Sequence, residues 1–534
     1  MIQRHSIASF TEAQPPSEKS GAAKPGVEAS QDTVAKVSMQ SRTQPETVRG
    51  WERYLRAVIF FFFVLFVILL PYSIKGARYA WMAAFVLWLV DLVVGRKRMY
   101  EQPLVWPMLA YIVLSGISCI FSYEPYLSWP HMKIVCWVAL IGTLFAQNLR
   151  CLSQVRTLIV LLLLSAASVA GFTAWQYLHG IGLRITSIGY LTPLHRAGLR
   201  PDDVVAAING HSVYSPNDLA KALEGIPQGE TVRVRFLRGL PVRRKDTFVR
   251  VEDFETALKT GTATFVSARP VRAQGTLGHY GILAEVMVPI GCLAWTLMLG
   301  SPTKQHWQQV AFGIIFLAIT ATVLLTQTRA ALTGLLGGCG IAMLLMSSRR
   351  TRPWLVSLLL VLFLGAVFSV YHVRGLTWVD PRDQGTQFRL AMWKDGLRLA
   401  WRHPLFGVGM ESIQNRWPEW NLGGYTQYQK FWNFHSDLVQ IAAERGPLTL
   451  ATWLWFVVAY LMYLGRLLPK MQERTRFGWA VLTGILAGFV AFLSASLVES
   501  SLNDDSLVML LFFCFGVAVA MERMLREPGA IDVP

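Results

Sequence analysis

The segment AVIFFFFVLFVILL, residues 57–70, decides the fold class of this chain of 534 residues. Its side chains are all apolar, and about 20 such residues are enough for an α-helix to cross a bilayer. Eleven further apolar runs follow. The twelve candidate helices begin at Ala57, Tyr79, Leu104, Met132, Thr157, Tyr280, Val310, Ala331, Trp354, Leu448, Trp479 and Leu507. The sequence therefore predicts an all-α polytopic membrane protein with about 12 transmembrane helices.

The composition supports this fold class. Hydrophobic residues make up 53% of the chain and charged residues 16%, against roughly 25% charged residues in a soluble domain. The net charge is +17, but most Lys and Arg residues lie between apolar runs, which indicates membrane orientation rather than nucleic-acid binding. The six cysteines include no CxxC pair, so we expect no disulfide framework, no metal site and no cofactor.

The basic residues also predict an orientation in the membrane. With a cytoplasmic N-terminus, the short cytoplasmic loops hold roughly 15 Lys and Arg, and the short loops on the other side hold roughly four, namely Lys75, Arg78, Lys133 and Arg329. We expect a disordered tail (1–54), helices 1–5 (55–179), a periplasmic domain (180–260), helices 6–9 (261–370), a periplasmic catalytic loop (371–446), and helices 10–12 with a cytoplasmic C-terminus (447–534).

The segment 180–260 has the pattern of a small α+β domain. Alternating strands are predicted from Leu183, Val204 and Thr231, and Ser215 followed by Pro216 predicts a helix start. The order of these elements and the string RAGLRPDDVVAAING (196–210) resemble a bacterial PDZ domain. This resemblance implies a groove that binds an extended peptide. The alternative is a spacer or lid whose groove stays empty.

Four charged or titratable residues stand at predicted outer ends of the helices. They are Arg272, Arg329, Arg389 and His435. Each arginine alone could be an interfacial anchor, and the histidine could be a structural hydrogen-bonding group. Together they predict an anion-binding pocket beside a proton acceptor, because guanidinium groups bind phosphate and His is the commonest general base near neutral pH.

Four stretches resemble the O-antigen ligase and polymerase family. They are residues 388–413 with HPLFGVGM at 403–410, His435-Ser436 followed by Gly446, QTRA at 327–330, and RAQGTLGH at 272–279. Shortly after Gly446, where the family has a second Gly followed by a Thr, this chain has Thr449 and Leu450. The resemblance implies a membrane enzyme that transfers a glycan from undecaprenyl diphosphate to an acceptor hydroxyl at the periplasmic face of the inner membrane, without metal or nucleotide sugar.

The resemblance also implies roles for individual residues. Arg329, Arg389 and His435 would be catalytic, and Arg272, His279 and Trp393 would bind substrate. The acceptor could be lipid A core, a polysaccharide or a protein, so a polymerase or a protein O-oligosaccharyltransferase remains open. A different class, a glycolipid transporter or a PDZ membrane scaffold, is the alternative. The acidic residues Glu499, Asp504 and Asp505 could line the acceptor site or pair with an arginine, but a solvated turn is favoured.

Overall fold

The computed structural model describes residues 50–527 except 96–98, 191, 239–242, 269–271, 303, 349, 355, 358–383 and 421–432. Five helices precede the insertion: α1 Gly50–Leu69, α2 Ile74–Val94, α3 Val105–Ile120, α4 Pro125–Asn148 and α5 Leu152–His179. The inserted domain contains β1 Leu183–Ile188, α6 Pro193–Arg196, β2 Val204–Ile208, β3 His211–Ser212, α7 Pro216–Leu223, β4 Thr231–Arg238, β5 Arg243–Arg250, α8 Val251–Thr260 and β6 Ala263–Ser267.

The remaining helices follow the insertion. They are α9 Tyr280–Gly300, α10 His306–Thr326, α11 Arg329–Met346, α12 Gln384–Arg402, α13 Ile413–Arg416, α14 Asp437–Arg445, α15 Pro447–Gln472, α16 Arg476–Ser496 and α17 Asp505–Arg526. Nine of the helices in the described ranges are long and apolar enough to cross a membrane. The prediction of a multi-pass, mainly helical protein is confirmed. The predicted helix from Trp354 lies mostly outside the described residues.

Most of the described membrane helices begin earlier than their apolar runs suggest, and two of them show why. Helix α4 begins at Pro125 rather than Met132, because a proline at the first helical position costs no hydrogen bond. Lys133, which the sequence placed in a short outer loop, therefore stands inside this helix. Helix α2 begins at Ile74 rather than Tyr79, because the Ser73 hydroxyl accepts a hydrogen bond from the Gly76 amide.

The inserted domain is a single antiparallel sheet with short helices. The strand order is β5-β4-β2-β1-β6, and β3 pairs with β2. The predicted strands and the helix after Ser215 are all present, with a capping box between Ser215 and Asp218. The domain has its own hydrophobic core, which includes Val205 and Phe254. Backbone hydrogen bonds from Ile181 to Ala268 (2.9 Å) and from Ala268 to Gly182 (2.7 Å) hold its two ends together.

Close helix packing fixes the end of the bundle where the site forms. A Cβ atom on Gly334 would lie 2.8 Å from the Ala491 carbonyl oxygen, and one on Gly338 would lie 2.7 Å from that of Ala487. Helices α11 and α16 therefore run antiparallel in near backbone contact. This packing brings the start of α11 to the same level as the end of α16. Helix α9 also packs closely against α16, because Pro289 contacts Gly488.

Candidate active site

Glu499 lies at the centre of the candidate site. It follows the end of α16, and its side chain is 23% exposed. Its Oε1 atom accepts a hydrogen bond from the Arg389 guanidinium at 2.7 Å. Its Oε2 atom lies 3.1 Å from Nδ1 of His435. One carboxylate therefore connects the two residues that the sequence predicts as a phosphate ligand and a general base.

These contacts control the ionisation of Glu499. Burial by itself would raise the pKa of this carboxyl, but the hydrogen bond and charge of His435, followed by those of Arg389, outweigh it. The net pKa of Glu499 lies below its ordinary value, so the group is an ionised acceptor at neutral pH. The His435 Nδ1 atom then carries the proton of the hydrogen bond, and Nε2 is the basic nitrogen.

The backbone around His435 is held by side chains. His435 adopts a left-handed conformation with φ of +49°, which is uncommon for a residue other than glycine. Its amide donates to Asn433 Oδ1 at 3.1 Å, and its carbonyl accepts from the Trp393 indole N–H at 3.3 Å. Strained conformations supported in this way concentrate at functional sites. Trp393, predicted to bind substrate, contacts the backbone of the predicted base.

Arg272 and Arg329 both lie at the turn between α10 and α11. The Arg272 guanidinium is within 3.5 Å of the Gln327 carbonyl oxygen and lies over the Tyr280 ring at 4.4 Å. Gln327 ends α10 in a left-handed conformation with φ of +54°. Arg329 follows two residues later as the first residue of α11, and it is exposed. Arg272 therefore contacts the same turn from which Arg329 begins α11.

His279 directly precedes α9 and is partly buried. Its Nδ1 atom accepts a hydrogen bond from the Gly281 amide at 3.2 Å and so caps α9, and its ring stacks on Tyr280. Burial lowers the pKa of His279; the charge of Glu499 opposes this shift and that of Arg272 adds to it. The residue is therefore neutral near pH 7, with Nε2–H available as a donor. Its sensitivity to both Glu499 and Arg272 places all three in one electrostatic neighbourhood.

The three acidic residues of the last turn are not simply solvated, so the favoured interpretation of them was wrong. Glu499 binds Arg389 and His435, and Asp505 forms an ion pair with Arg78. Burial, with the neighbouring charges of Asp505 and Glu499, raises the pKa of Asp504 to about 7. The position of Glu499 in the sequence could have indicated its role, because it follows a spanning helix at the end of the bundle where the candidate arginines lie.

Chemically, the site combines anion-binding groups with a hydrogen-bonded His–carboxylate pair. Arg389 is 40% exposed on its side chain, so it can contact a ligand while it holds Glu499. Guanidinium groups bind phosphate oxygens in a bidentate manner. Among the described residues, no group of three or more His, Cys, Asp or Glu residues is arranged to hold a metal ion.

Comparisons with known proteins match two separate parts of the chain. A family model described as O-antigen ligase matches residues 314–454, a range that includes Arg329, Arg389, Trp393 and His435. A model described as PDZ domain matches residues 184–238. The magnetosome formation protease MamE of Magnetospirillum gryphiswaldense is 36% identical over 59 residues, 11% of this chain and 8% of that protein. This multi-pass membrane protein thus contains an O-antigen ligase domain at residues 314–454 and a PDZ domain at residues 184–238.

Proposed function

We propose that the protein transfers a glycan from an undecaprenyl diphosphate carrier to an acceptor hydroxyl at the periplasmic face of the inner membrane. Both termini would then be cytoplasmic, in line with the distribution of basic residues. The observation that carries the proposal is the contact of one carboxylate, Glu499, with both Arg389 and His435. The O-antigen ligase match over 314–454 supports glycan transfer as the general activity.

The arginines have the role of binding the leaving group. Negative charge grows on the carrier diphosphate as its bond to the sugar breaks, and positioned guanidinium groups stabilise that charge. Arg329 and Arg389 bind the diphosphate, and Arg272 assists from the neighbouring turn. His279 presents Nε2–H to the same region and is suited to a phosphate or sugar oxygen.

His435 acts on the acceptor. Its Nε2 atom accepts the proton of the acceptor hydroxyl while the oxygen forms a bond to the anomeric carbon. The bond between that carbon and the diphosphate oxygen breaks, and undecaprenyl diphosphate leaves. Glu499 is a positioning residue, because its hydrogen bond at 3.1 Å holds the imidazole in one tautomer and stabilises the imidazolium that forms. General-base assistance of this kind contributes about 10²–10⁴ in rate.

The acceptor is lipid A core, a growing polysaccharide or a protein, and the PDZ domain favours a protein partner. Strand β6 stands at one end of the PDZ sheet, and Arg272 follows it by only five residues. An extended peptide added to a sheet edge would therefore lie near the site. This arrangement supports protein O-glycosylation as the second candidate activity.

The test is transfer from lipid-diphosphate-linked glycan in purified membranes, comparing wild type with His435→Ala and Arg329→Ala. We expect wild type alone to release undecaprenyl diphosphate and to extend or decorate an acceptor, and the product identifies the acceptor class. If both variants insert correctly and retain full transfer, the two residues are structural and their assigned roles fail, whereas absence of transfer by wild type overturns the proposed function.

A further inference from the structure

A groove separate from the His435 site opens between the α3–α4 turn and the loop after α12. Phe121 and Tyr123 line one side, and His403, Leu405 and Phe406 line the other. Its cavity volume is about 470 Å³, within the range typical of ligand-binding clefts. We refer to it as the aromatic groove.

The rings of the aromatic groove are ordered by contacts with one another. Phe121 and Phe406 stack at 4.7 Å with an interplanar angle of 9°. Tyr123 meets His403 edge-on at 5.5 Å and Trp420 at 5.7 Å. Phe121 and Tyr123 nevertheless remain 60% and 44% exposed. The groove therefore offers flat apolar ring surfaces to a ligand without collapsing on itself.

Polar planar groups stand beside the rings. Arg416 donates to Glu124 at 2.7 Å and lies 5.8 Å from the Tyr123 ring centroid. The Asn415 amide donates to the Tyr126 hydroxyl at 2.9 Å. A lipid-facing surface would expose the Arg416–Glu124 pair to hydrocarbon, which is costly. A hydrated ligand with both apolar faces and hydroxyl groups fits this lining better than a lipid tail.

The groove is rigid before any ligand binds. The Tyr123 amide donates to the Val408 carbonyl at 3.1 Å, and the Ser122 hydroxyl lies 3.0 Å from that of Ser412. A Cβ atom on Gly409 would lie 1.8 Å from Ser122 Oγ, so only glycine allows this approach. A preorganised site loses less conformational entropy on binding.

The groove is also connected to the candidate active site through α14. The Val408 and Gly409 amides donate to the carbonyls of Ala443 and Glu444, at the C-terminal end of that helix. His435 immediately precedes the N-terminal end. Helix α14 has nine residues, so with a rise of 1.5 Å per residue its two ends are separated by about 13 Å, a distance that a short oligosaccharide can span.

We propose that the aromatic groove is a glycan-binding subsite, in which Tyr123 stacks on a sugar ring and Arg416 and Glu124 bind its hydroxyl groups. The inference rests on the proposed function, since it supplies a subsite for the glycan that is transferred. The bound sugars belong either to the lipid-linked donor or to a glycan acceptor. Both share the same chemistry, and kinetics separates them.

The direct test measures binding in the full-length His435→Ala protein, which removes turnover. The probe is the glycan released by mild acid from the lipid-linked pool of the host membranes and fractionated by chain length. We expect Tyr123→Ala to weaken its binding at least tenfold, and Tyr123→Phe, which keeps the ring, to bind within about twofold. Trp401→Ala is the matched control, because Trp401 is 86% exposed outside the groove.

Equal binding by the Tyr123→Ala and Trp401→Ala proteins would overturn the inference, as would absence of glycan binding to the parent protein. In catalytically active protein, Tyr123→Ala should raise KM and leave kcat nearly unchanged. A rise in the donor KM assigns the groove to the donor glycan, and a rise in the acceptor KM assigns it to the acceptor. Glycan binding without any transfer by wild type would sink the proposed function and leave the groove standing.

Discussion

The PDZ domain and the His435 site differ in how the chain builds them. The PDZ sheet uses one continuous stretch, most of its strands pair with partners a few tens of residues away, and its widest pairing joins Leu183 of β1 to Ser267 of β6. The His435 site joins three distant segments of the chain, around Arg389, His435 and Glu499, and the bond from Arg389 to Glu499 spans 110 residues. One region is encoded locally and the other depends on helix packing across the whole membrane bundle.

The difference explains why the two regions respond differently to change. A defect in the PDZ core should remain inside the domain, because its core includes no residue of the membrane helices. A defect at Glu499 should reach both Arg389 and His435, because a single carboxylate holds both. The predictions below test this contrast, beginning with the largest expected effect.

Removing the predicted base should have the largest effect on activity. His435→Ala should lower glycan transfer by about 10²–10⁴, the usual contribution of general-base assistance. His211→Ala is the control, because His211 is exposed on β3 of the PDZ domain. Initial rates in membranes with matched protein levels measure both. Comparable rates for the two variants would remove His435 from the mechanism.

The same contrast between local and long-range contacts determines how much of this molecule the sequence alone predicts. Apolar runs gave the multi-pass fold, and the capping and turn residues of 183–238 gave the PDZ elements, because these signals are local. Pairing of Glu499 with an arginine was only the less favoured alternative, and its contact with His435 was not predicted, because α16 reaches both residues only through helix packing. Glu499 therefore looked like a surface acid. The helix from Trp354 remains a prediction.

Loss of one phosphate-binding group should come next. Arg389→Ala should lower transfer by about 10²-fold, as for removal of a donor that stabilises transition-state charge. Arg398→Ala is the matched control, since Arg398 lies on the same helix and its side chain is 60% exposed beside Asp395. Rates at saturating and limiting donor concentrations measure the effect, and equal losses in both variants would contradict a specific role for Arg389.

The PDZ core should affect stability much more than chemistry. Phe254 is fully buried, so Phe254→Ala should destabilise the PDZ domain by about 3–5 kcal/mol. Transfer to a non-protein acceptor should change by less than about threefold, under 1 kcal/mol. Limited proteolysis of residues 180–268 together with transfer rates measures both. Loss of transfer in parallel with PDZ unfolding would show that the two regions are not independent.

The smallest expected effect is on the pH dependence of folding stability, which should have opposite signs for Glu444 and for Asp218 of the PDZ domain. Burial, reinforced by Glu411, raises the pKa of Glu444 to about 8. The folded state therefore holds a proton that the unfolded chain releases near pH 4.5. The folding stability that this proton contributes is fully present below pH 4.5 and is lost as the pH rises toward 8. In the PDZ domain, the hydrogen bond from Ser215 lowers the pKa of Asp218, and its contribution is lost as pH falls through that lowered value.

Thermal unfolding between pH 6 and 9 tests the first half of this prediction. Glu444→Gln should flatten the decline in stability between pH 6 and 8, because an amide keeps the acceptor for the Glu411 amide at 2.9 Å without titrating. An unchanged pH profile in this variant would show that Glu444 is not responsible.

The central claim is that Glu499 and His435 act as one unit, and a double-mutant cycle tests it most directly. Transfer rates are compared for wild type, Glu499→Gln, His435→Ala and the double variant in the same membranes. The account predicts that the double variant is no slower than His435→Ala alone, because Glu499 acts through the imidazole that is already lost. Losses that multiply would show that Glu499 and His435 contribute independently and would contradict the account.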